Sequence, residues 1–190
     1  FYDLTAYGKN VLINSKSRDA WWLSKCFWAV SCVFTYFILM WAIIIIFCVC
    51  GAGKLTLNVS KSLIFKMIPM PSENVFLSEG DLFSNRYLTC QMLLMPFLIV
   101  SALSVMQMAV SLVIKPFFSF CISAGILVLS AYYLNPLLLG NYAMSQRNDL
   151  LIDNGVNTKT GIVFSLALLV LSCVVGLFIF RRYDILNKED

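Results

Sequence analysis

The sequence predicts an all-α integral membrane protein: four transmembrane helices preceded by a cytoplasmic amphipathic helix. Three observations lead there. Mean hydropathy is +0.83, and 60% of the 190 residues are hydrophobic. Only 13% are charged, where a soluble domain carries about 25%. Those charges avoid four long apolar runs, 26–50, 88–114, 117–139 and 161–180. The chain reads as a single transmembrane domain: a cytoplasmic segment 1–25, extracytoplasmic segments 51–87 and 140–160, and a cytoplasmic tail 181–190. The chain starts at Phe1, and Phe1 to Ser24 is too polar for a signal peptide. Earlier spans are therefore expected to precede it.

Apolar Phe1, Leu4, Tyr7 and Val11 recur at steps of three or four, one face of a helix. Gly8 weakens that helix by up to ~1 kcal/mol relative to alanine. The segment suits either a helix lying on the membrane or one docking on a cytoplasmic partner. Lys16, Arg18 and Lys25 then flank Trp21-Trp22. Cations and indoles mark a cytoplasmic membrane interface. Span one follows, Cys26 to Cys50. At ~1.5 Å per residue its length crosses a ~30 Å hydrocarbon layer with some tilt. Gly51 and Gly53 are expected to end it.

Residues Leu55 to Ile68 mix apolar positions with Lys54, Lys61 and Lys66. This stretch reads as partly helical, in the outer interface. Pro69 and Pro71 break it, and Glu73, Glu79, Gly80 and Asp81 read as an acidic, turn-rich loop. Gly51-Ala52-Gly53-Lys54 looks like the end of a phosphate-binding loop, but Cys48 stands where the first glycine belongs and Leu55 follows the lysine. Nucleotide binding by this chain is rejected on that mismatch.

Span two, Leu88 to Ile114, contains Gln91, Pro96 and Gln107. Polar side chains are costly against lipid, so both glutamines should face protein or a water-filled path. Lys115-Pro116 makes a tight turn into span three, Phe117 to Leu139. There Ser119 and Ser123 form a small-xxx-small step that lets helices approach closely. Asn135-Pro136 suggests that the helix bends or ends nearby. Gln91, Gln107, Ser119 and Ser123 are the candidate residues for a helix interface or a translocation path. Span four, Gly161 to Phe180, carries two more such steps, Gly161/Ser165 and Ser172/Gly176, and stops at Arg181-Arg182.

Four spans put both ends on one side. That side holds eight of the 14 cations: Lys9, Lys16, Arg18, Lys25, Lys115, Arg181, Arg182 and Lys188. The bias makes it the cytoplasm, and the location a cell membrane crossed several times. No charge lies within a span, which argues against a proton- or ion-coupled pump. The chain has no histidine, so Ser-His-Asp and Cys-His catalysis are impossible. The seven cysteines lie in or beside apolar runs and read as packing residues. Cys48 and Cys50 have no second ligand pair at zinc-site spacing. No catalytic residue, metal or cofactor is expected in this chain.

The segment Phe1-Tyr-Asp-Leu-Thr-Ala-Tyr-Gly-Lys-Asn-Val-Leu leads through Ser17-Arg18-Asp19-Ala20-Trp21-Trp22 into a span. A tight turn joins two later spans, and the last ends Gly176-Leu-Phe-Ile-Phe-Arg181-Arg182-Tyr-Asp-Ile-Leu. This pattern resembles the permease subunit of a bacterial ABC exporter of the six-span type. Asn135-Pro-Leu-Leu-Leu-Gly140-Asn-Tyr-Ala-Met144 is similar to what such permeases carry in Gram-positive bacteria. The resemblance implies a coupling helix, with Leu4, Tyr7, Lys9, Val11 and Leu12 as contacts to a separate ATPase that holds ATP and Mg. It also implies a second permease copy or paralogue, and a peptide, lipid or drug as cargo. The alternative is a non-transporting immunity or assembly protein that acts through helix–helix contacts.

Overall fold

A computed structural model of the chain describes residues 17–52, 58–68, 70–83 and 86–182. The proposed ATPase contacts Leu4, Tyr7, Lys9, Val11 and Leu12 lie outside the described residues. Among the described residues the fold is all-α apart from one two-residue strand pair. Three helices among the described residues are long and apolar enough to cross a membrane, and a fourth apolar helix is shorter.

Helix α1, Arg18–Ala52, has 35 residues. It begins eight residues before the expected span and runs through Gly51. At ~1.5 Å per residue it is about 52 Å long, well beyond a ~30 Å hydrocarbon layer. Its first half packs: Trp22 and Cys26 are buried against Val105, Ala109, Leu112 and Phe180. Phe34 and Phe37 then meet Phe97 edge-on, at 5.8 and 5.9 Å between centroids. Ile43 to Phe47 are all exposed.

Helix α4, Arg86–Val110, is the hub, touching α1 and each of the apolar helices that follow. Its buried side chains Leu88, Met95, Ile99, Ala102, Val105 and Ala109 run its whole length. Pro96 lies inside it without breaking it. After Val110 the backbone tightens through Leu112 N–H to Ala109 and Val113 N–H to Val110 bonds. Lys115 is extended and Pro116 opens α5, Pro116–Tyr132. Proline suits a helix's first turn, where its missing N–H would have no partner.

Helix α5 has 17 residues, about 25 Å. It stops seven residues short of the expected end at Leu139. Tyr133 is extended, and the residue before a proline is kept out of helical geometry, which stops Asn135 from restarting the helix. The chain then folds back. The Asn135 side chain accepts the Leu137 N–H, and the short helix α6, Gly140–Ala143, returns beside the last turn of α5. The Gly140 N–H donates to Ser130 Oγ at 3.2 Å. Helix α7, Thr158–Arg182, closes the bundle against α4 and α1.

Between α1 and α4 lies a small hairpin. Strands β1, Val59–Ser60, and β2, Leu82–Phe83, pair antiparallel. Between them sit α2, Lys61–Met67, and α3, Glu73–Leu77. Their buried Ile64 and Val75, with Ile68 just past α2, pack with Leu88 and Leu151. The acidic, turn-rich loop of the sequence reading thus contains a helical turn with a buried valine.

The bundle has two distinct ends. The start of α1, the α4–α5 turn and the end of α7 share one, since Trp22, Leu112 and Phe180 belong to one cluster. The hairpin and residues 133–157 build a cap at the other.

Candidate functional site

At the first end α1 and α7 are clasped. Trp22 is buried and donates its indole N–H to the Cys173 carbonyl at 3.0 Å. Gly176 makes the room for it. Trp21 stacks on Phe180 at 4.9 Å and 10°, and Lys25 sits 5.3 Å over the Trp21 ring. Arg181 holds Asp19 through two bonds, Nε to Oδ1 at 2.7 Å and Nη2 to Oδ2 at 2.5 Å. The hydrogen bond from Arg181 lowers the Asp19 pKa, against a smaller opposing effect of desolvation, and the Arg181 charge adds to the lowering. Arg18 donates to the Arg181 carbonyl at 3.2 Å, so the start of α1 also satisfies a carbonyl in the last turn of α7. Trp21 and Trp22, read from sequence as interface markers, thus serve a helix–helix lock.

Beside the clasp, the α4–α5 junction forms a polar groove of about 350 Å³ lined by Ser104, Gln107, Met108, Ser111 and Pro116. Ser104 donates to the Val100 carbonyl within α4, and Ser111, just past its end, to the Met108 carbonyl, each at 2.7 Å. Ser119 is buried and donates to the Gln107 backbone carbonyl at 2.7 Å, tying α5 to α4. Ser123, also buried, donates to the Ser119 carbonyl in its own helix at 3.2 Å. Three of the four candidate residues therefore gather at α4–α5. A second, apolar groove of about 250 Å³ lies between α4 and α7, along Val110, Val113, Leu171 and Val175.

Gln91 lies elsewhere. It is buried near the cap end of α4, and its Oε1 accepts a bond from Asn148 Nδ2 at 2.6 Å. The same Nδ2 reaches Thr158 Oγ1 at 2.9 Å, while Asn148 Oδ1 accepts the Leu150 N–H at 2.8 Å. Asn148 is fully buried. Gln91 thus binds the loop to the bundle, and it lines neither groove.

Arg147 caps α5. Its guanidinium donates to the carbonyls of Ser130 at 2.5 Å, Ala131 at 2.6 Å and Tyr133 at 3.3 Å, and to Asn141 Oδ1. A cation is favoured where a helix ends in open carbonyls. Asn141 adds bonds to the Tyr133 and Asn135 carbonyls at 3.0 and 2.8 Å. Tyr142 donates to the Pro136 carbonyl at 2.8 Å and fills the space over Gly161. Burial pushes the Tyr142 pKa up. Sequence reasoning passed over Arg147, Asn141 and Asn148 as ordinary loop polarity. The available signal was a helix stopped by Asn135-Pro136, which leaves carbonyls in need of donors.

Cys48 and Cys50 are exposed free thiols on α1. Among the described residues no group of three His, Cys, Asp or Glu side chains is placed to hold a metal.

No curated protein and no solved structure matches the chain. One family model does, over residues 3–186, and its description is protein of unknown function (DUF2705). That match covers nearly the whole sequence, the first long helix, the hairpin, the cap and the last helix included, and the chain belongs to this DUF2705 family.

Proposed function

We propose that the chain is the membrane permease subunit of an ABC-type exporter. It carries an amphipathic or lipophilic cargo such as a peptide, lipid or drug, and is driven by a separate ATPase. The observation that supports this most is the clasp. The segment resembling a coupling helix leads directly into Arg18, and the first turns of α1 are locked to α7 through Trp22, Gly176 and the Asp19–Arg181 pair. Displacement of that segment by a partner would move two long helices together. The groove at Ser104, Gln107 and Ser111 supplies uncharged polar surface beside the same helices.

In this reading the chain is not itself an enzyme and needs no cofactor of its own. ATP and Mg belong to the partner, and a second permease completes the path. The clasp end and both chain ends are cytoplasmic, in a cell membrane. Impermeant maleimide should then label cysteines placed at Glu79 and Asn154 on intact cells and spare one at Lys188. Labelling of Lys188→Cys alone would reverse the orientation.

The deciding experiment is affinity purification of the tagged full chain from its own membrane. An ATP-binding subunit should co-purify. Leu4→Asp, at matched membrane expression, should lose it, because an unpaired charge in a buried contact costs several kcal/mol, on the order of 3–5. Lys9→Ala should be mild, about 0–1 kcal/mol. Undiminished ATPase recovery with Leu4→Asp would reject docking through that face. Purification of the wild-type chain with no ATPase would favour the immunity or assembly role.

A further inference from the structure

We infer that the α2–α3 hairpin is a lipid-binding element that inserts into the interface of the leaflet on the cap side. The hairpin presents large apolar side chains that stand exposed among the described residues. Met70 is 85% exposed, Leu77 77% and Phe76 60%. Phe65 meets Phe76 with ring centroids 5.2 Å apart, so the two short helices share one aromatic flank. Exposed apolar surface gathered in this way marks an interaction site, where singly scattered residues would not.

The fold fixes the height of this flank. Ile64, Ile68 and Val75 pack on Leu88, in the first turn of α4. That turn is where an apolar helix would leave the hydrocarbon. The hairpin is also short-tethered: five residues separate the end of α1 from Asn58, and two separate Phe83 from α4. Tyr132 and Tyr133, at the cap end of α5, are exposed as well, as an aromatic belt at that level requires. Helices of seven and five residues cannot cross a membrane, but they can lie in its interface with apolar side chains toward the acyl boundary.

The hairpin is also held rigidly. Lys61 N–H donates to the Asp81 carbonyl at 2.8 Å, and Lys61 Nζ to the Ser78 carbonyl. Ser72 fixes it to the cap through Oγ to the Leu150 carbonyl at 2.7 Å and N–H to the Leu151 carbonyl at 2.8 Å. A preformed apolar flank loses little freedom on meeting lipid. The insertion point therefore includes α3, within the stretch whose composition reads as an acidic, turn-rich loop.

The test uses the wild-type full chain in nanodiscs of phosphatidylcholine and phosphatidylglycerol. A fraction of the lipid carries a diazirine on a shallow acyl carbon, and the adducts are mapped by mass spectrometry. Adducts should appear on Phe65, Met70, Phe76 or Leu77, at least fivefold above those on 149–154 of the cap. The double variant Met70→Asp/Leu77→Asp, which changes exposed positions only, should reduce adducts on Phe65 and Phe76 severalfold and leave those on α1 and α4 unchanged. Adducts confined to the long helices, or adducts on residues 63–77 no more frequent than those on 149–154, would overturn the inference.

Discussion

Trp22 occupies the volume that any side chain at position 176 would need. A Cβ on Gly176 would lie 2.9 Å from the indole Cε2 and closer still to Cζ2. The backbone of α7 cannot yield, because the Trp22 N–H is bonded to the Cys173 carbonyl less than a turn away.

Gly176→Ala is therefore expected to destabilise the bundle by about 1–3 kcal/mol through overpacking. Trp22→Ala should cost about 3–5 kcal/mol as a cavity mutation. In the double variant the new methyl meets empty space, so the two costs should fall short of additive by at least about 1 kcal/mol. A thermal-unfolding double-mutant cycle in detergent reads this directly, and strict additivity would reject the notch.

The Asp19–Arg181 pair makes the clasp sensitive to acid. Because its partner lowers the Asp19 pKa, the carboxylate favours the folded chain at every pH above the ordinary aspartate value. That contribution is lost as pH falls through the lowered value, below about pH 4. Both groups are exposed, with side chains 51% and 40% accessible. Asp19→Asn should thus lower Tm at pH 7 by no more than about 3 °C. The gap between wild type and variant should narrow as pH falls below the ordinary aspartate range, and a gap that stays constant there would exclude the pair as its cause.

Arg147 reaches carbonyls on three residues of the α5 terminus as well as the Asn141 side chain. Lysine presents one nitrogen and cannot span them. Arg147→Lys should cost about 1–3 kcal/mol, close to Arg147→Ala. Amide hydrogen exchange across 129–143 should quicken in both variants while the clasp end keeps its protection. Full rescue by lysine would mean that charge alone, without the fork of donors, holds this terminus.

Asn148→Leu removes the donor to Gln91 and Thr158 and the acceptor for Leu150 at once. Each buried group left unpaired costs about 1–3 kcal/mol. Asn148→Asp should be milder, since the Gln91 amide can turn its NH₂ toward the new carboxylate and the Thr158 hydroxyl can rotate to donate. Melting temperatures should rank wild type, Asn148→Asp, Asn148→Leu.

The long helices were legible because hydrophobic length is a local property: runs without charge announce α1, α4 and α7. The Lys115-Pro116 turn was legible for the same reason, since proline acts on its own backbone. The end of α5 was half legible. Asn135-Pro136 signalled the stop, but Leu137-Leu138-Leu139 prolonged the apolar run, and the sequence does not reveal that these leucines belong to a returning chain. The start of α1 at Arg18 was hidden for another reason. Asp19 and Trp22 are helical surface until Arg181 and Gly176 cover them, and no local pattern links positions so far apart. Gln91, expected to face protein or a water-filled path, is buried at the cap end of α4. Its partner, Asn148, could not be read from a polar loop.

The Trp22–Cys173 bond joins positions 151 residues apart, and this separation sets a schedule for biosynthesis. A ribosome adding about 5–20 residues per second needs roughly 8–30 s between making the indole and making the notch that receives it. During that interval α1 must wait in the bilayer with Asp19 uncompensated and Trp22 unseated. The clasp therefore closes only once α7 has been made, however early α1 is inserted. A truncation before Gly176 should leave α1 inserted yet unsecured, a substrate for membrane quality control.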